Sequence, residues 1–488
     1  MDILRQHSIR VNFLLNFFLK AVNVLCSAAA YGIAYRVLGV ANVGKVAFAI
    51  SVTSFFAMIA TLGIPTYGIR ECAGCRDNRQ LLSKTVRELL MIQCAMTLIS
   101  VLLLALSVGM IPRLREDLPL FLIEGLLLLL GATGTEWLYA GLERYGYITI
   151  RTAACKLLSL LLVFLFVRKQ TDVLTYAMLL AFSNALLYIL NLLSLRKLID
   201  PQQSGERCEP KRHLRPALFF FAQTVAITVY TSLDSAMLGF LSGDYWVGIY
   251  DASVKIKLIL SYFTTSLGAV LFPRLSYYAH ENNKKKFWEK VNRSAEFTVL
   301  TAVPLAIFVF CMSEECIAFL FGEQYLPGAP ALRILSLTLI LIGGSSLLGA
   351  QILMTTGRER VTMRAVTVGA VVDAVLNLLL ISRYAGMGAA LGTLAAEITV
   401  LTMEMAYLKS IMRNLLRESE ALKTLSVSAV AAVVLFFVKI RLSFQPFLML
   451  LTGAMAYFTL VYGVLYCVGE PMVRQTLDKV CALCRKIS

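Results

Sequence analysis

The chain has 488 residues, 58% of them hydrophobic and 16% charged, with a mean hydropathy of +0.74. Soluble domains carry about a quarter charged residues, so a soluble enzyme or signalling module is excluded and a polytopic membrane protein is implied. The net charge of +16 suggests nucleic-acid binding only until the positions of the charges are read.

A helix needs about 20 apolar residues to cross the hydrocarbon. About fourteen such stretches follow one another, at residues 11–38, 44–69, 88–111, 118–140, 147–167, 172–195, 216–240, 246–272, 294–313, 329–356, 361–381, 386–408, 421–438 and 444–468. Their length and continuity predict helices, because strands of a membrane barrel are short and alternate. The expected fold class is an all-α integral membrane protein. Of the 46 Lys and Arg, about 33 fall in alternate loops beginning with the N-terminus and about 10 in the opposite set, which is the positive-inside pattern. Both termini are therefore assigned to the cytoplasm, and no nucleic-acid partner is expected. The first apolar run is too long for a cleaved signal and lacks a small-residue cleavage site, so it is expected to remain as helix 1.

Helix 1 carries Asn12, Asn16, Lys20, Asn23, Ser27 and Tyr31 at spacings of three and four, one stripe of an α-helix that should face water or a cavity. Lys20 lies about 14 Å deep at 1.5 Å per residue. The next segment, "GVANVGKV" (39–46), resembles a phosphate-binding loop but ends in Val46 where Ser or Thr would hold magnesium, and no strand precedes it. "WLYAGLERYGYITIR" (137–151) breaks the apolar pattern on the cytoplasmic side. Gly141 suits a helix C-terminus. Arg144 and Arg151 can meet inner-leaflet phosphates, and Glu143 can pair with basic neighbours in a capped turn or across a gate. Helix 6 contributes Asn184, Tyr188 and Asn191.

The hydrophilic segment "DPQQSGERCEPKRHLRP" reads as a linker, residues 200–215, between an N-terminal lobe (1–199) and a C-terminal lobe (216–412). Residues 413–488 add helices 13 and 14 and a tail. The lobes repeat each other: "LGVANVGKVAFA" aligns with "LGFLSGDYWVGIYDA", "LGIPTYGIR" with "LGAVLFPR", and the GLER segment with "GRERVTMR" (357–364). Six crossings per lobe make the repeats parallel, with the substrate expected between them.

In the second lobe, helix 7 places Gln223, Tyr230 and Asp234 near one face. In helix 8, Asp251 and Lys255 are one turn apart, and Lys257 points the other way. Lys255 either lines a channel or forms a structural ion pair with Asp251. Glu359 and Arg360 repeat the Glu143 and Arg144 pattern. Asp373 and Asn377 in helix 11, and Glu397 and Glu404 in helix 12, complete the intramembrane polar groups, each a hydrogen-bonding or pathway residue. "GMGAALG" (386–392) has the wrong spacing for a dinucleotide loop. Eleven cysteines, with the loop ones on the reducing side, predict free thiols. The CxxC pairs Cys72/Cys75 and Cys481/Cys484 could in principle share zinc, yet nothing in the sequence brings them together; no metal or cofactor is expected. With three histidines, all near the cytoplasmic side, a His-centred site is not expected.

"LGVANVGKVAFAISVTSFFAMIATLGIPTYGIRE", "EWLYAGLERYGYITIR", "LFPRLS" and "FGEQYLPGAPALRILSL" with "GAQILMTTGRER" together resemble the polysaccharide transporter family of the MOP superfamily over about residues 8–412. The resemblance implies flippases for lipid-linked O-antigen, capsule and exopolysaccharide units, two six-helix lobes that alternate access, and cargo on undecaprenyl pyrophosphate. It also implies a cationic cavity for the pyrophosphate and a lipid-facing groove on the last two helices. By position Lys20 and Lys255 fill the cationic role, with Asn16, Asn23, Asn184 and Gln223 on the sugars. Asp234, Asp373 or Glu397 is the candidate for coupling to proton or sodium, and Glu143, Arg144, Glu359 and Arg360 are gate candidates. The basic residue expected after Asp234 is Ser235 here, and helix 2 has no intramembrane Arg or Lys. A bacterial cytoplasmic membrane is the implied location, with membrane lipids, a polysaccharide polymerase and assembly proteins as partners. The chain is not expected to be an enzyme, since its longest outer loop (313–328) offers Glu314, Glu315 and Glu323 but no His or Arg. The nearest alternative is a MATE-type cation-coupled multidrug antiporter, which would want an acidic pocket.

Overall fold

The computed structural model describes residues 26–195, 198–199, 208–409, 421–441, 444–476 and 478. Every regular element among them is helical. The helices group into two units, Met1–Gly248 and Ile249–Ser488, each packed chiefly on itself.

The first unit begins with α1 (26–38) and α2 (Val40–Thr61). Leu62 (φ 45) and Gly63 (φ 72) end α2 in the left-handed region, and a proline in its first turn starts α3 (Ile64–Gly74). Gly63 is required for packing as well as for its φ: a Cβ there would lie 2.4 Å from the Phe221 nitrogen. Helix α4 (Arg79–Met110) starts at Asn78, whose side chain accepts from the Gln80 and Leu81 amides in the usual capping geometry. Its two faces are inverted relative to a soluble helix. Gln93, Thr97 and Ser100 are buried while Leu98, Leu102 and Leu106 are exposed, as expected where lipid takes the place of water and interhelical hydrogen bonds lie inside.

After the short α5 (Pro112–Arg115), the crossing expected at 118–140 is broken. Helix α6 (Leu118–Gly131) stops, residues 132–135 are non-helical turn, and α7 (Glu136–Gly141) resumes. Helices α8 (Tyr145–Phe166) and α9 (Val173–Leu195) pack on each other, and α9 also packs on α6. Helix α10 (Lys211–Leu241) packs along α2 and α3. The boundary between units falls in α11 (Asp244–His280).

The second unit continues with α12 (Lys284–Cys311), α13 (Ser313–Leu320) and α14 (Ala329–Ser345). A π-helical stretch, Ser346–Met354, then carries α14 toward α15 (Glu359–Tyr407). Ala385 (φ 46) folds α15 into two crossings. The last helices, α16 (Ala421–Arg441) and α17 (Pro446–Val468), pack against α12 and α13. Among the described residues, eleven helices are long and apolar enough to cross a membrane. One of them is the folded α15, and α1 and α6–α7 add to the count, which agrees with about fourteen crossings. The protein is a multi-pass, all-α membrane protein.

Candidate functional site

Lys20, Asn16 and Asn23 lie outside the described residues. Of the stripe's remaining residues, Ser27 and Tyr31 on α1 are partly buried. The polar groups of the first unit that can be placed form three sites.

The first is a hub on the side that the basic loops assign to the cytoplasm. Glu88, fully buried, accepts from the Glu209 amide at 2.7 Å, Arg212 Nη2 at 2.7 Å, Arg212 Nε at 3.0 Å and His213 Nε2 at 2.9 Å. The other ring nitrogen of His213 meets the Tyr67 hydroxyl at 2.7 Å. A neutral imidazole satisfies both contacts, donating at Nε2 and accepting at Nδ1. The hub fastens the start of α10 to α3 and α4, a structural role that the small number of histidines concealed.

The second is the WLYAGLERYGYITIR segment. Arg151 is 5% exposed, donates to Glu136 at 2.9 Å and to Asn191, and lies 5.4 Å from the Tyr147 ring centroid. Its expected contact with inner-leaflet phosphate is corrected: the guanidinium holds α7, α8 and α9 together. Tyr139 donates to the Asn191 carbonyl at 2.8 Å and stacks on Tyr147 at 4.8 Å. Glu143, with φ 55, pairs with Arg76 of the same unit at 3.5 Å. Arg144 is partly exposed.

The third was missed by sequence. Where α6 breaks, Gln93 of α4 donates to the Gly131 carbonyl at 2.9 Å and the Gly134 carbonyl at 3.4 Å, satisfying backbone groups that a continuous helix would have paired. Non-helical backbone at membrane depth is tolerated only where protein or a water-filled cavity covers it, and broken helices mark transporter binding sites. Close by in sequence, Lys156 sits midway along α8, about 16 Å from its start at 1.5 Å per residue. In the sequence it is the first cation after the basic WLYAGLERYGYITIR segment. It is partly buried, and among the described residues it makes no ion pair; its electrostatic neighbours are the thiols of Cys155 and Cys26. Asp2 is the sole acid within residues 1–25.

Asn184 donates to the Leu180 carbonyl of its own helix at 3.3 Å. Gln223 is partly buried on α10, and Asp234 is buried and engaged.

In the second unit, Lys255 is paired with Asp251 at 3.3 Å, one turn apart as the spacing predicts. Asp373 (1% exposed) and Asn377 (0%) converge on Gly392: a Cβ there would lie 2.4 Å from Asn377 Oδ1 and 2.9 Å from Asp373 Oδ1. The next residue, Thr393, exchanges a hydrogen bond with Tyr250 at 3.1 Å. The result is a buried group of oxygens on both limbs of α15 and on α11. One to three turns further on, Glu397 and Glu404 are buried; Ser345 donates to Glu404 at 2.9 Å beside the π-helical stretch. π-Helical turns are frequent at functional sites, and this one occupies the repeat position of the broken α6–α7 crossing. Glu359 and Arg360 are exposed at the start of α15.

Arg333 binds Glu314 at 2.6 Å, and Lys439 binds Glu314 at 3.2 Å and Glu315 at 2.8 Å. Burial works against the charge on Glu314, but the Lys439 and Arg333 cations outweigh it and hold the carboxyl below its usual range. This cluster ties α16 to α13 and α14. No cluster of three or more His, Cys, Asp or Glu suited to a metal ion occurs among the described residues. Cys481 and Cys484 lie outside them, and the nine described cysteines are free.

Comparison with known proteins accords with this architecture. A family profile described as "Polysaccharide biosynthesis protein" matches residues 11–279, and one described as "Lipid II flippase MurJ" matches residues 155–455. A putative O-antigen transporter of Shigella dysenteriae is 23% identical over 400 residues, 80% of this chain and 97% of that protein. A probable low-salt glycan biosynthesis flippase of Haloferax volcanii is 23% identical over 250 residues, 51% of this chain and 52% of its own length. Among solved structures, the lipid II flippase MurJ in an inward closed conformation superposes with a TM-score of 0.72 at 16% identity, covering 94% of this chain and 99% of its own. With the first profile spanning more than half its length and the fold matching throughout, the chain belongs to the polysaccharide biosynthesis protein family, the polysaccharide transporters of the MOP superfamily.

Proposed function

We propose that the protein is a flippase that carries undecaprenyl-pyrophosphate-linked oligosaccharide repeat units from the inner to the outer leaflet of the bacterial cytoplasmic membrane by alternating access, with both termini in the cytoplasm. A glycan headgroup crosses hydrocarbon only if its hydroxyls and phosphates find partners, since each unpaired polar group costs a few kcal/mol and a bare charge far more. The lobes read from the repeat are residues 1–199 and 216–412, with residues 413–488 appended.

The observation that carries this reading is Lys156, a mid-membrane cation that makes no ion pair among the described residues. A buried cation without a counter-ion marks an anion path. Lys156, with Lys20 on helix 1, supplies the pyrophosphate contact better than Lys255, whose charge Asp251 already offsets. Asn16, Asn23, Asn184 and Gln223 would meet sugars. The Asp373, Asn377 and Thr393 oxygens are suited to a hard cation, which oxygen ligands favour, and are the candidate coupling site for proton or sodium; Asp234 and Glu397 are further candidates. Glu143 with Arg144 and Glu359 with Arg360 are candidates for the cytoplasmic gate, and a polysaccharide polymerase is the candidate neighbour in the membrane. An inside-negative potential itself favours outward movement of an anion by about 2.3 kcal/mol per charge per 100 mV.

The test is deletion of the gene followed by mass analysis of lipid-linked intermediates. The reading requires an undecaprenyl-linked repeat unit to accumulate on the cytoplasmic side and to clear when the wild-type chain, but not Lys156→Met, is restored. An unchanged lipid pool together with new drug sensitivity would point instead to a multidrug antiporter.

A further inference from the structure

Helix α6 presents one carboxylate, Glu124, on its buried face, with Leu120, Phe121 and Leu128 around it at helical spacing. The residue is 8% exposed. The other buried acids have partners. Glu88 has Arg212 and His213, Asp117 has Lys45, Asp251 has Lys255, Glu404 has Ser345 and Glu470 has the Val473 amide. Asp234, Asp373 and Glu397 are engaged as well. Glu124 makes neither an ion pair nor a hydrogen bond among the described residues.

Its surroundings contain little that could offset a charge. Of the helices packed on α6, α2 has one ionisable side chain, Lys45, committed to Asp117. On α5, Arg113 is held by Asp117 and Asp244 and Arg115 by the Gly109 carbonyl. On α4, Glu88 belongs to the hub, Arg79, Lys84 and Arg87 lie in the first three turns, and Cys94 is exposed. On α9, Tyr176 is engaged, and Tyr188 lies within electrostatic reach of both Glu124 and Glu136. The break in the crossing supplies an independent observation. Gly131, which ends α6, and Gly134, within the non-helical turn, face the Tyr188 ring: a Cβ on them would lie 3.8 and 3.2 Å from it. Glu136 on the far side of the break is 59% exposed. Glu136, which also pairs with Arg151 at 2.9 Å, Tyr188 and Glu124 thus form a sequence of groups from the exposed far side of the break to the buried face of α6, past backbone held only by bonds to the third residue back.

We propose that Glu124 is a proton-binding site served by Tyr188 and Glu136. An O–H bond forms on a Glu124 oxygen with a proton that hydronium delivers by way of Glu136 and Tyr188, leaving water behind, before the site is enclosed, because an ionised carboxylate without a partner is expensive in hydrocarbon. The proton returns to water when the broken segment admits it. Coupling this exchange to transport rests on the flippase reading; the proton exchange itself does not.

Infrared difference spectra of the purified full chain between acidic and alkaline buffer test the site directly. Wild type should show a carboxylic C=O band that disappears at high pH, Glu124→Gln should lack it, and Glu124→Asp should keep it at a shifted frequency. Superimposable spectra for wild type and Glu124→Gln would overturn the proposal. In proteoliposomes, a one-unit pH gradient is worth about 1.36 kcal/mol per proton, or up to about tenfold in the flux of lipid-linked glycan. Glu124→Gln should lose that response while keeping its thermal stability, and Tyr188→Phe should slow it. An unaltered gradient response in Glu124→Gln would also overturn the proposal. A wild-type band that titrates in a protein that flips no glycan would leave the proton site standing and remove the flippase reading.

Discussion

Replacing Glu88 by alanine should be among the most destabilising single changes in the first unit. The carboxylate is fully buried and accepts from one amide, one imidazole and one guanidinium. Its removal leaves the Glu209 amide and the His213 ring, 3% exposed, without an acceptor, at about 1–3 kcal/mol for each buried unsatisfied donor. Arg212 behaves differently. It is 42% exposed, so water recovers most of its solvation, and its own truncation should cost about 1 kcal/mol or less. Glu88→Ala is therefore expected to lose about 3–5 kcal/mol, in the range for breaking a buried pair from one side. At about 2–4 °C per kcal/mol for a unit of this size, that is a fall of roughly 10 °C in the melting temperature of detergent-purified protein. Glu88→Gln should fall between, since its carbonyl keeps one donor while its amide group opposes the others. The reasoning is refuted if Glu88→Ala melts with wild type, or if Arg212→Ala costs as much.

Lys156→Met should leave stability unchanged or slightly raised, because it removes a partly buried charge that makes no ion pair among the described residues, and should reduce glycan flipping at least about tenfold, the loss of about 1.4 kcal/mol of anion contact. Lys255→Met is expected to show the converse, a loss of about 1–3 kcal/mol of stability as Asp251, 9% exposed, loses its partner; melting curves and a flipping assay run side by side separate the two. Gly392→Ala drives a Cβ to 2.4 Å from Asn377 Oδ1, an overpacking worth about 1–3 kcal/mol that should appear in thermal melts together with lost ion dependence of transport. For Glu314, whose folded carboxyl lies below its usual range, the stabilisation is fully present above the unfolded value of about 4.3 and disappears as pH falls through the lower folded value. Acid melts below about pH 4.3 should therefore converge for wild type and Glu314→Gln, after differing slightly at neutral pH.

The helices were legible because long apolar runs have one physical meaning in this chain, and the turn residues that separate them have few alternatives. Leu62 and Gly63, Gly322 and Gly357 all take positive φ at places where the apolar pattern pauses. What the pattern could not give was the state of the chain inside a run. Residues 118–140 read as one crossing since leucines surround the break, and the amide of Gln93 that closes it comes from α4, 38 residues away. The fold at Ala385 falls between the apolar runs at 361–381 and 386–408, yet its cause, a non-glycine residue at φ 46, has no sequence signature.

The same distinction accounts for the polar residues. Spacing put Asp251 and Lys255 on one face and could not say whether that face met water; the 3.3 Å pair converts an apparent pathway lysine into a locally compensated one. Arg151 looked like a loop cation because it follows Glu143 and Arg144, and it is buried because Glu136 and Asn191 stand on the two helices beside α8. Lys156 and Glu124 were hidden for the opposite reason, one counted with a basic loop and one isolated in a run of leucines. Within a membrane the informative property of a charge is whether the fold offsets it, since a compensated charge stabilises packing and an uncompensated one can persist only where a ligand, a proton or water completes it. Compensation depends on neighbours from other helices, so sequence position finds the charged groups and only the packed structure sorts them.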